Sequence, residues 1–180
     1  YARKNPGALS YASAGTGSST HMLAEMFQQA GQFKLTHVPF RGGGQGIQDM
    51  VGGHVPVAVI SIAGVSTLVK EGKLRGLTVF EKERYNAFPD IPAITEDVPG
   101  MNPIISWFGL VGPAGMEGAV VTKLNGEVVK AINAPDVRQK LEPLAFLMLG
   151  GPPQEFANRV REDIAAWSKV VAAGNIKIEE

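Results

Sequence analysis

The sequence contains no cysteine and no excess of charge of either sign. Without cysteine the chain can form neither disulfides nor thiolate metal sites, and its compartment can be reducing or oxidising. Acidic and basic residues number 17 each, so the formal net charge is +0. Nucleic-acid binding needs a field of Lys and Arg against the phosphates, and this chain has no basic stripe. We therefore expect no nucleic-acid partner.

Long hydrophobic runs are also missing. No apolar stretch reaches the roughly 20 residues that a membrane-spanning helix needs, and no signal peptide is present. The first residues, 1–7, contain no initiator methionine and finish with a Pro-Gly stop signal. We expect the chain to start within a longer protein, whose upstream part would hold any signal peptide.

What the chain does have is an alternation of short apolar runs and amphipathic stretches. The runs at 9–14, 35–40, 55–60 and 74–80 predict strands, and the stretches between them predict helices. Strands and helices that alternate through short links form a mostly parallel sheet with helices on both faces. The first 103 residues therefore predict an α/β fold.

The pattern changes after residue 80. Four prolines break residues 85–103 into turns, and further strands are predicted at 104–111 and 144–149. Helices are predicted around 120–132, at 135–141, and from Pro153 to a C-cap at Gly174. The chain thus divides into residues 1–103 and residues 104–180.

A binding site is expected where strands end. Ligands of open parallel sheets lie beyond the carboxyl ends of the strands, which here lead into three loops: the first loop (13–21, "SAGTGSSTH"), the second (41–45) and the third (61–64). Glycines allow close backbone approach, and the N–H groups and dipole of a helix start favour an anion. The predicted ligand-binding residues are Ser13, Ala14, Gly15, Thr16, Gly17, Ser18, Ser19, Thr20, His21, Arg41, Gly42 and Ser61.

The first loop has a simpler alternative. Gly-Ser-Ser-Thr before a helix is also an ordinary N-cap that needs no ligand, and the sequence leaves both interpretations open. A Walker loop is not expected, because no Lys follows the second glycine. A Gly-x-Ser-x-Gly nucleophile elbow does not occur.

The three histidines differ in context. His21 either contacts the ligand or braces the first loop through a backbone hydrogen bond, and bracing is the preferred interpretation. His37 lies inside a predicted strand and is expected to be structural. His54 enters a strand on the opposite edge of the sheet, so a two-histidine metal site is not expected. Arg41 either pairs with an anionic ligand or is solvated.

No catalytic constellation is visible. The carboxylates avoid the three loops, so a general acid–base pair is not predicted. A serine hydrolase built on Ser18 or Ser19 with His21 is disfavoured, since these residues are too close along the chain and no orienting acid is evident. We predict no enzyme, no metal and no cofactor. Trp107 and Phe108 are expected to pack in the core.

The ordered segments "YASAGTGSSTH", "HVPFRGG", "MVGGHV", "VKEGKLRGLTV", "FPDIPAITED", "SWFGLVGPAG" and "APDVRQKLEPL" resemble the Bug/TctC family along essentially the whole chain. These are extracytoplasmic solute-binding receptors of tripartite tricarboxylate transporters. The resemblance implies a two-lobed, type II periplasmic binding protein-like fold that closes on a small carboxylate. Residues 1–103 would be the second lobe. Residues 104–180 would be a crossover strand and helices returning towards the first lobe, which is absent from this chain.

The resemblance also implies partners and a location. The ligand would be a di- or tricarboxylate or an aromatic acid, and the receptor would deliver it to membrane permease subunits. We expect a periplasmic protein that is monomeric at full length. An effector-binding domain of a transcription regulator shares the two-lobed fold and stays open as an alternative.

Two departures from the family pattern bear on the ligand. Many members carry an Asp-Asn pair at the end of the third strand, where this chain has Ile60 and Ser61. Without that acid we predict a ligand that lacks an amino group. The run Gly42-Gly43-Gly44 is more flexible than the usual sequence, which would widen the pocket.

Overall fold

A computed structural model describes residues 1–174 and 176; the remainder of the predicted segment 104–180 lies outside the described residues. The elements along the chain are β1 (Ser10–Ser13), α1 (Ser19–Gly31), β2 (Thr36–Pro39), α2 (Gly43–Val51), β3 (Val57–Ala58), α3 (Ile62–Lys70), α4 (Ile94–Asp97), α5 (Gly118–Ile132), α6 (Pro135–Leu141), a 3₁₀ turn (Glu142–Leu144) and α7 (Pro153–Gly174). None of the described helices is long and apolar enough to cross a membrane.

The sheet has three parallel strands in the order β2-β1-β3. In β1, Ser13 pairs with Pro39 of β2, and Ala12 pairs with Ala58 of β3. All three strands therefore end at the same edge of the sheet, with β1 in the middle. The predicted parallel sheet is confirmed for these strands, and it places the first loop between the other two.

Helices cover both faces of the sheet, as predicted. Successive side chains of a strand point to opposite faces, and Tyr11 and Ala12 are both fully buried. Tyr11 belongs to a core cluster with Leu23 and Ala24 of α1. On the other face, a Cβ built on Gly46 of α2 would lie 3.3 Å from the Cβ of Ala12, so α2 packs closely against β1 there.

The predicted strand at 74–80 is wrong. Its one ladder contact is an isolated parallel bridge between Val79 and Ala93. The Val79 N–H donates to the carbonyl of Pro92, and the carbonyl of Val79 accepts from the Ile94 N–H. Because the proline-rich link takes these backbone groups, Val79 is not available to the sheet. It packs instead in a second buried cluster with Phe88, Ile91 and Ala93.

The predicted strands at 104–111 and 144–149 are also wrong for the described chain. Residues 104–111 form no ladder, and Phe108, Leu110 and Val111 are exposed. A strand exists only when a neighbour pairs with its backbone, and no described segment lies beside this one in a ladder. The second run is broken by Ala145, whose φ of 65° is left-handed and follows directly on the 3₁₀ turn.

Helix α7 holds the segment 104–109 against the body of the chain. Arg159 Nη2 donates to the carbonyl of Ile105 at 3.2 Å, and Phe156 packs edge-to-face on Trp107. Trp107 is nonetheless 39% exposed and Phe108 is 86% exposed. The expectation that both pack in the core is therefore wrong. Trp107 packs on Phe156 at the surface of α7, and no described element covers its outer side or that of Phe108.

Candidate functional site

Backbone hydrogen bonds continue past the strand ends and draw the loops together. The Phe40 N–H donates to the Ser13 carbonyl at 3.2 Å, and the Gly42 N–H donates to the Ala14 carbonyl at 3.3 Å. The second loop is thereby fixed against the first. On the other side, the Val59 N–H donates to the carbonyl of Ala12 at 3.0 Å and leads the chain towards the third loop.

The hydroxyl groups of the first loop mostly serve the loop itself. Ser18 is the N-cap of α1: its Oγ accepts the His21 N–H at 3.3 Å and donates to the Gly15 carbonyl at 2.6 Å. Thr20 Oγ1 accepts the Ala14 N–H at 3.0 Å. The N-cap interpretation is therefore confirmed for Ser18. This capping role does not exclude ligand binding by the loop, because the backbone amides are a separate set of donors.

Three amides of the first loop keep their N–H groups available. Within residues 1–174 and 176, the Thr16, Ser19 and Thr20 N–H groups donate no hydrogen bond. Thr16 and Ser19 are exposed, and Ser19 and Thr20 open the first turn of α1. Unpaired N–H groups at a helix start, together with the helix dipole, attract an anion.

His21 braces the loop in the way the sequence predicted. Its Nδ1 accepts the Gly17 N–H at 3.1 Å, and the residue is buried. Its Nε2 lies 4.0 Å from Glu25 Oε1. The same carboxylate oxygen accepts from the Tyr11 hydroxyl at 3.2 Å and from Gln28 Nε2 at 2.7 Å. The imidazole is thus held from both sides.

The half-buried His37 joins this group from the neighbouring strand. Its ring stacks on that of His21, with centroids 4.0 Å apart and planes 5° from parallel. Its Nε2 lies 2.7 Å from Ser13 Oγ. Burial first, and the adjacent His21 second, lower the pKa of His37 to about 4, against the opposing effect of Glu25. Burial also lowers the pKa of His21, against the opposing effect of Glu25. Both rings are therefore neutral at pH 7.

Sequence reasoning missed Tyr11, Glu25 and Gln28 as supports of the loop, whereas the structural role expected for His37 agrees with its contacts to Ser13 and His21. Alternation along β1 already puts Tyr11 and Ser13 on one face. Their contact with His37 depends on the register in which Tyr11 pairs with His37, and no local pattern encodes that register. Glu25 follows His21 by one helical turn, which was the available signal for this pair.

The other predicted residues lie at the same edge with looser surroundings. Arg41 is exposed and forms no ion pair with any described residue. Gly42 has a φ of 102°, a value that favours glycine. Ser61 is exposed and is the N-cap of α3, where its side chain makes no capping hydrogen bond. The Gly42–Ala14 hydrogen bond brings Arg41 and Gly42 beside the first loop, and Ser61 follows β3 at the same edge of the sheet.

The histidines are not arranged to activate a serine. Ser18 Oγ faces the Gly15 carbonyl, while the His21 ring faces Gly17, so the two side chains are not hydrogen-bonded to each other. Ser13 does contact His37, but it is only 1% exposed. A substrate could not reach it. Over the described chain, no group of three His, Asp or Glu residues is placed to hold a metal ion.

An apolar groove begins at Ser19, and we refer to it as the α7 groove. Its volume is about 320 Å³, and its lining includes Trp107, Ile164 and Trp167. Asp163 also borders it, but this carboxylate accepts from Trp107 Nε1 at 2.6 Å and from Arg159 Nε at 3.0 Å. Its charge is therefore compensated, and the groove next to the free amides is largely apolar.

Together, the sheet with three loops gathered at one edge and the amide-lined helix start define an α/β ligand-binding domain. The model of the tripartite tricarboxylate transporter family receptors, TctC, matches residues 1–176, and the chain belongs to this family. The family and the fold are those of periplasmic solute-binding receptors. The family resemblance read from the sequence is confirmed.

Two curated relatives are about twice as long as this chain. A Pseudomonas sp. (strain P51) protein, "UPF0065 protein in tcbD-tcbE intergenic region", is 34% identical over 172 residues, which are 94% of this chain and 51% of that protein. "Protein BugT" of Bordetella pertussis is 24% identical over 98% of this chain and 54% of its own length. The chain spans about half the length of these relatives.

Solved structures agree on the fold. "R. palustris Rpa4515 with adipate" matches with a TM-score of 0.88 and 29% identity, over 98% of this chain and 59% of that chain. "Structure of a periplasmic transporter" matches with a TM-score of 0.89 and 31% identity, over 99% and 59%. MatC from Rhodopseudomonas palustris with bound malate matches with a TM-score of 0.73 and 28% identity, over 92% and 57%. The predicted periplasmic binding protein-like fold is confirmed.

Proposed function

We propose that this chain is the amide-lined half of an extracytoplasmic receptor that binds a small carboxylate for a tripartite tricarboxylate transporter. One observation carries the proposal: the Thr16, Ser19 and Thr20 N–H groups at the start of α1 lack partners within the described chain. Similar structures that hold adipate and malate support a carboxylate as the anion.

The binding step needs no reacting group. A carboxylate oxygen accepts hydrogen bonds from N–H groups that the loop has already oriented, and it lies at the positive end of the helix dipole. Ser18 and His21 hold the loop in place through Gly15 and Gly17 before the ligand arrives. Affinity then benefits because few groups lose freedom on binding. Of the twelve residues predicted from the sequence, ten are proposed to contact the ligand, whereas the buried Ser13 and His21 support the loop without touching it.

The surroundings favour a ligand with an apolar body and no amino group. The family resemblance implies an acid at the position that Ile60 occupies, and Ile60 offers no carboxylate there to an ammonium group. The α7 groove starts at Ser19 and is lined by Ile164 and Trp167. A methylene chain or an aromatic ring would bury apolar area in it, which is worth about 25 cal/mol per Å².

The two segments of the chain take different parts in this proposal. Residues 1–103 form the second lobe, with the three loops. Residues 104–180 return towards the other lobe of the receptor, and their exposed apolar side chains at Phe108, Leu110 and Leu147 fit a surface that another part of the protein covers. At full length we expect a periplasmic monomer that delivers its ligand to membrane permease subunits.

A calorimetric comparison of charged and neutral ligands tests the proposal. The protein at its natural full length is titrated with adipate, malate, citrate and benzoate, and in parallel with the corresponding amides. We expect at least one acid to bind and its amide to bind at least about tenfold more weakly, because the amide lacks the charge that the helix start recognises. Equal binding of acid and amide, or binding of none of the acids, would contradict the proposal.

A further inference from the structure

The imidazole of His21 can brace the first loop in only one protonation state. Its Nδ1 accepts the Gly17 N–H at 3.1 Å. An imidazole nitrogen accepts only when it carries no proton, so the remaining proton lies on Nε2, on the side of Glu25. An imidazolium carries hydrogens on both nitrogens. Its Nδ1–H would therefore face the Gly17 N–H, and two donors cannot form a hydrogen bond with each other.

The groups around His21 determine how readily it takes up a proton. On α1, Glu25 lies 4.0 Å away and favours the charged ring. On β2, His37 stacks at 4.0 Å and opposes a second positive charge in the pair. On β1, the Tyr11 hydroxyl donates a hydrogen bond to the Glu25 carboxylate and so stabilises its negative charge.

More distant charges are either solvated or paired. In the second loop, Arg41 is exposed to solvent. On α7, which packs against α1, Asp163 is paired with Arg159 at 3.0 Å. The direct environment of His21 is thus one carboxylate, already hydrogen-bonded by Tyr11 and Gln28, and one imidazole.

We infer that His21 is a positioning residue for the anion site and that it holds the site together only while its ring is neutral, so that acid loosens the first loop and weakens carboxylate binding. Gly17 follows directly on Thr16, whose N–H is one of the three free donors. Losing the Gly17–His21 bond releases the peptide next to that donor. The inference rests on the proposed carboxylate binding, but it concerns a contact that exists without ligand.

The burial of the His21 ring also favours its neutral form. His21 is 6% exposed, and burial lowers its pKa below the ordinary value of 6.5. Protonation of His21, and the weaker binding that follows from it, is therefore expected below pH 6.5 and not near neutrality.

Two matched variants separate this role from general packing. In His21→Asn, the amide oxygen can occupy the place of Nδ1 and accept the Gly17 N–H, but it cannot titrate. In His21→Gln, the polar end lies further out, towards the position of Nε2, and the Gly17 N–H loses its acceptor. Adipate affinity of the full-length protein is measured by calorimetry between about pH 7.5 and about pH 4.5.

The inference predicts a split between these variants. At about pH 7.5, His21→Asn should bind adipate within about threefold of the unmodified protein, and His21→Gln at least about tenfold more weakly. On acidification the affinity of the unmodified protein should fall at least about threefold more than that of His21→Asn. The protonation of adipate affects both proteins equally, so it does not contribute to this difference. Identical pH profiles of the unmodified protein and His21→Asn would overturn the inference.

A second readout does not depend on any ligand. Nitrogen chemical shifts of the imidazoles, followed by NMR in the free protein, report the tautomer of His21 and its pKa. We expect an unprotonated Nδ1 at neutral pH and a Gly17 amide signal that titrates together with His21. Failure of all carboxylates to bind would contradict the proposed function but not the bracing role of His21. A Gly17 signal that ignores the titration of His21 would sink the inference, even with carboxylate binding intact.

Discussion

A Cβ atom on Gly15 would lie 3.1 Å from the carbonyl oxygen of Phe40. The first loop is thus packed directly against the end of β2, and Gly15 also has a φ of 126°, which side-chain-bearing residues rarely adopt. Sterics and backbone conformation both demand glycine at this position. The contact explains how the loop keeps its shape before a ligand binds.

Gly15→Ala is therefore expected to destabilise the protein. The strained backbone and the tight contact with Phe40 together should lower the free energy of unfolding by about 1–3 kcal/mol. Gly43→Ala is the matched control, because a Cβ there meets nothing within 4 Å, and it should change the unfolding free energy by less than about 0.5 kcal/mol. Urea unfolding measures both. Equal effects of the two variants would show that the first loop is not held as described.

The stacked histidine pair predicts a loss of stability in acid. The pKa of His37 is about 4 in the folded chain and 6.5 for an ordinary histidine. Between these values the unfolded chain binds more protons, so the free energy of unfolding should fall as the pH drops from 6.5 towards 4 and stay level above 6.5. Urea unfolding across this range measures the slope.

The variant His37→Gln should flatten that slope. Glutamine can still present a polar atom near Ser13, but it does not titrate, and it removes the second imidazole from beside His21. A residual slope from His21, whose pKa is also lowered, is expected to remain. An unchanged slope in the variant would show that His37 does not carry this pH dependence.

Much of the fold follows from the sequence alone. The 3.6-residue periods place α1, α5 and α7, and the glycine and hydroxyl pattern locates the first loop and its cap. The strands at 74–80 and 104–111 were predicted but are not formed. Apolar alternation reports that a segment can form a strand, while pairing partners decide whether it does. The backbone groups of Pro92 and Ile94, in the link after residue 80, pair with Val79 instead.

The site could be predicted only in part, for a related reason. The role of His21 follows from its position at the helix start, four residues after Gly17. The stacking of His37 on His21 joins residues 16 positions apart, on different elements. Such a contact depends on strand register and helix rotation together, and neither is encoded locally.

Ligand selectivity gives a further prediction at the end of β3. Ile60 is half-buried beside the third loop and offers no polar atom to a ligand. Ile60→Asp should restore a carboxylate there and improve the binding of amino- or hydroxyl-bearing acids relative to simple acids, by at least about tenfold. Calorimetry with succinate and aspartate provides the comparison, and Ile60→Asn controls for polarity without charge. An unchanged ratio of the two affinities in Ile60→Asp would count against this account of selectivity.

The central claim is that backbone N–H groups of the first loop hold the carboxylate, and Ser19 allows it to be tested with a single donor. Ser19 is the first residue of α1, where proline fits without disturbing the helix, and the preceding Ser18 is already extended, with ψ of 159°. Ser19→Pro therefore removes one N–H group together with the side-chain hydroxyl, and it leaves the helix start in place. Ser19→Ala keeps the N–H and removes the hydroxyl.

The most direct measurement is the affinity of these two full-length variants for the carboxylate that binds the unmodified protein most tightly. We predict that Ser19→Pro binds at least about tenfold more weakly, as expected for one lost hydrogen bond to a charged group, with an unchanged free energy of unfolding. Ser19→Ala should bind within about threefold of the unmodified protein. If Ser19→Pro binds as tightly as Ser19→Ala, the amides of the first loop do not hold the ligand.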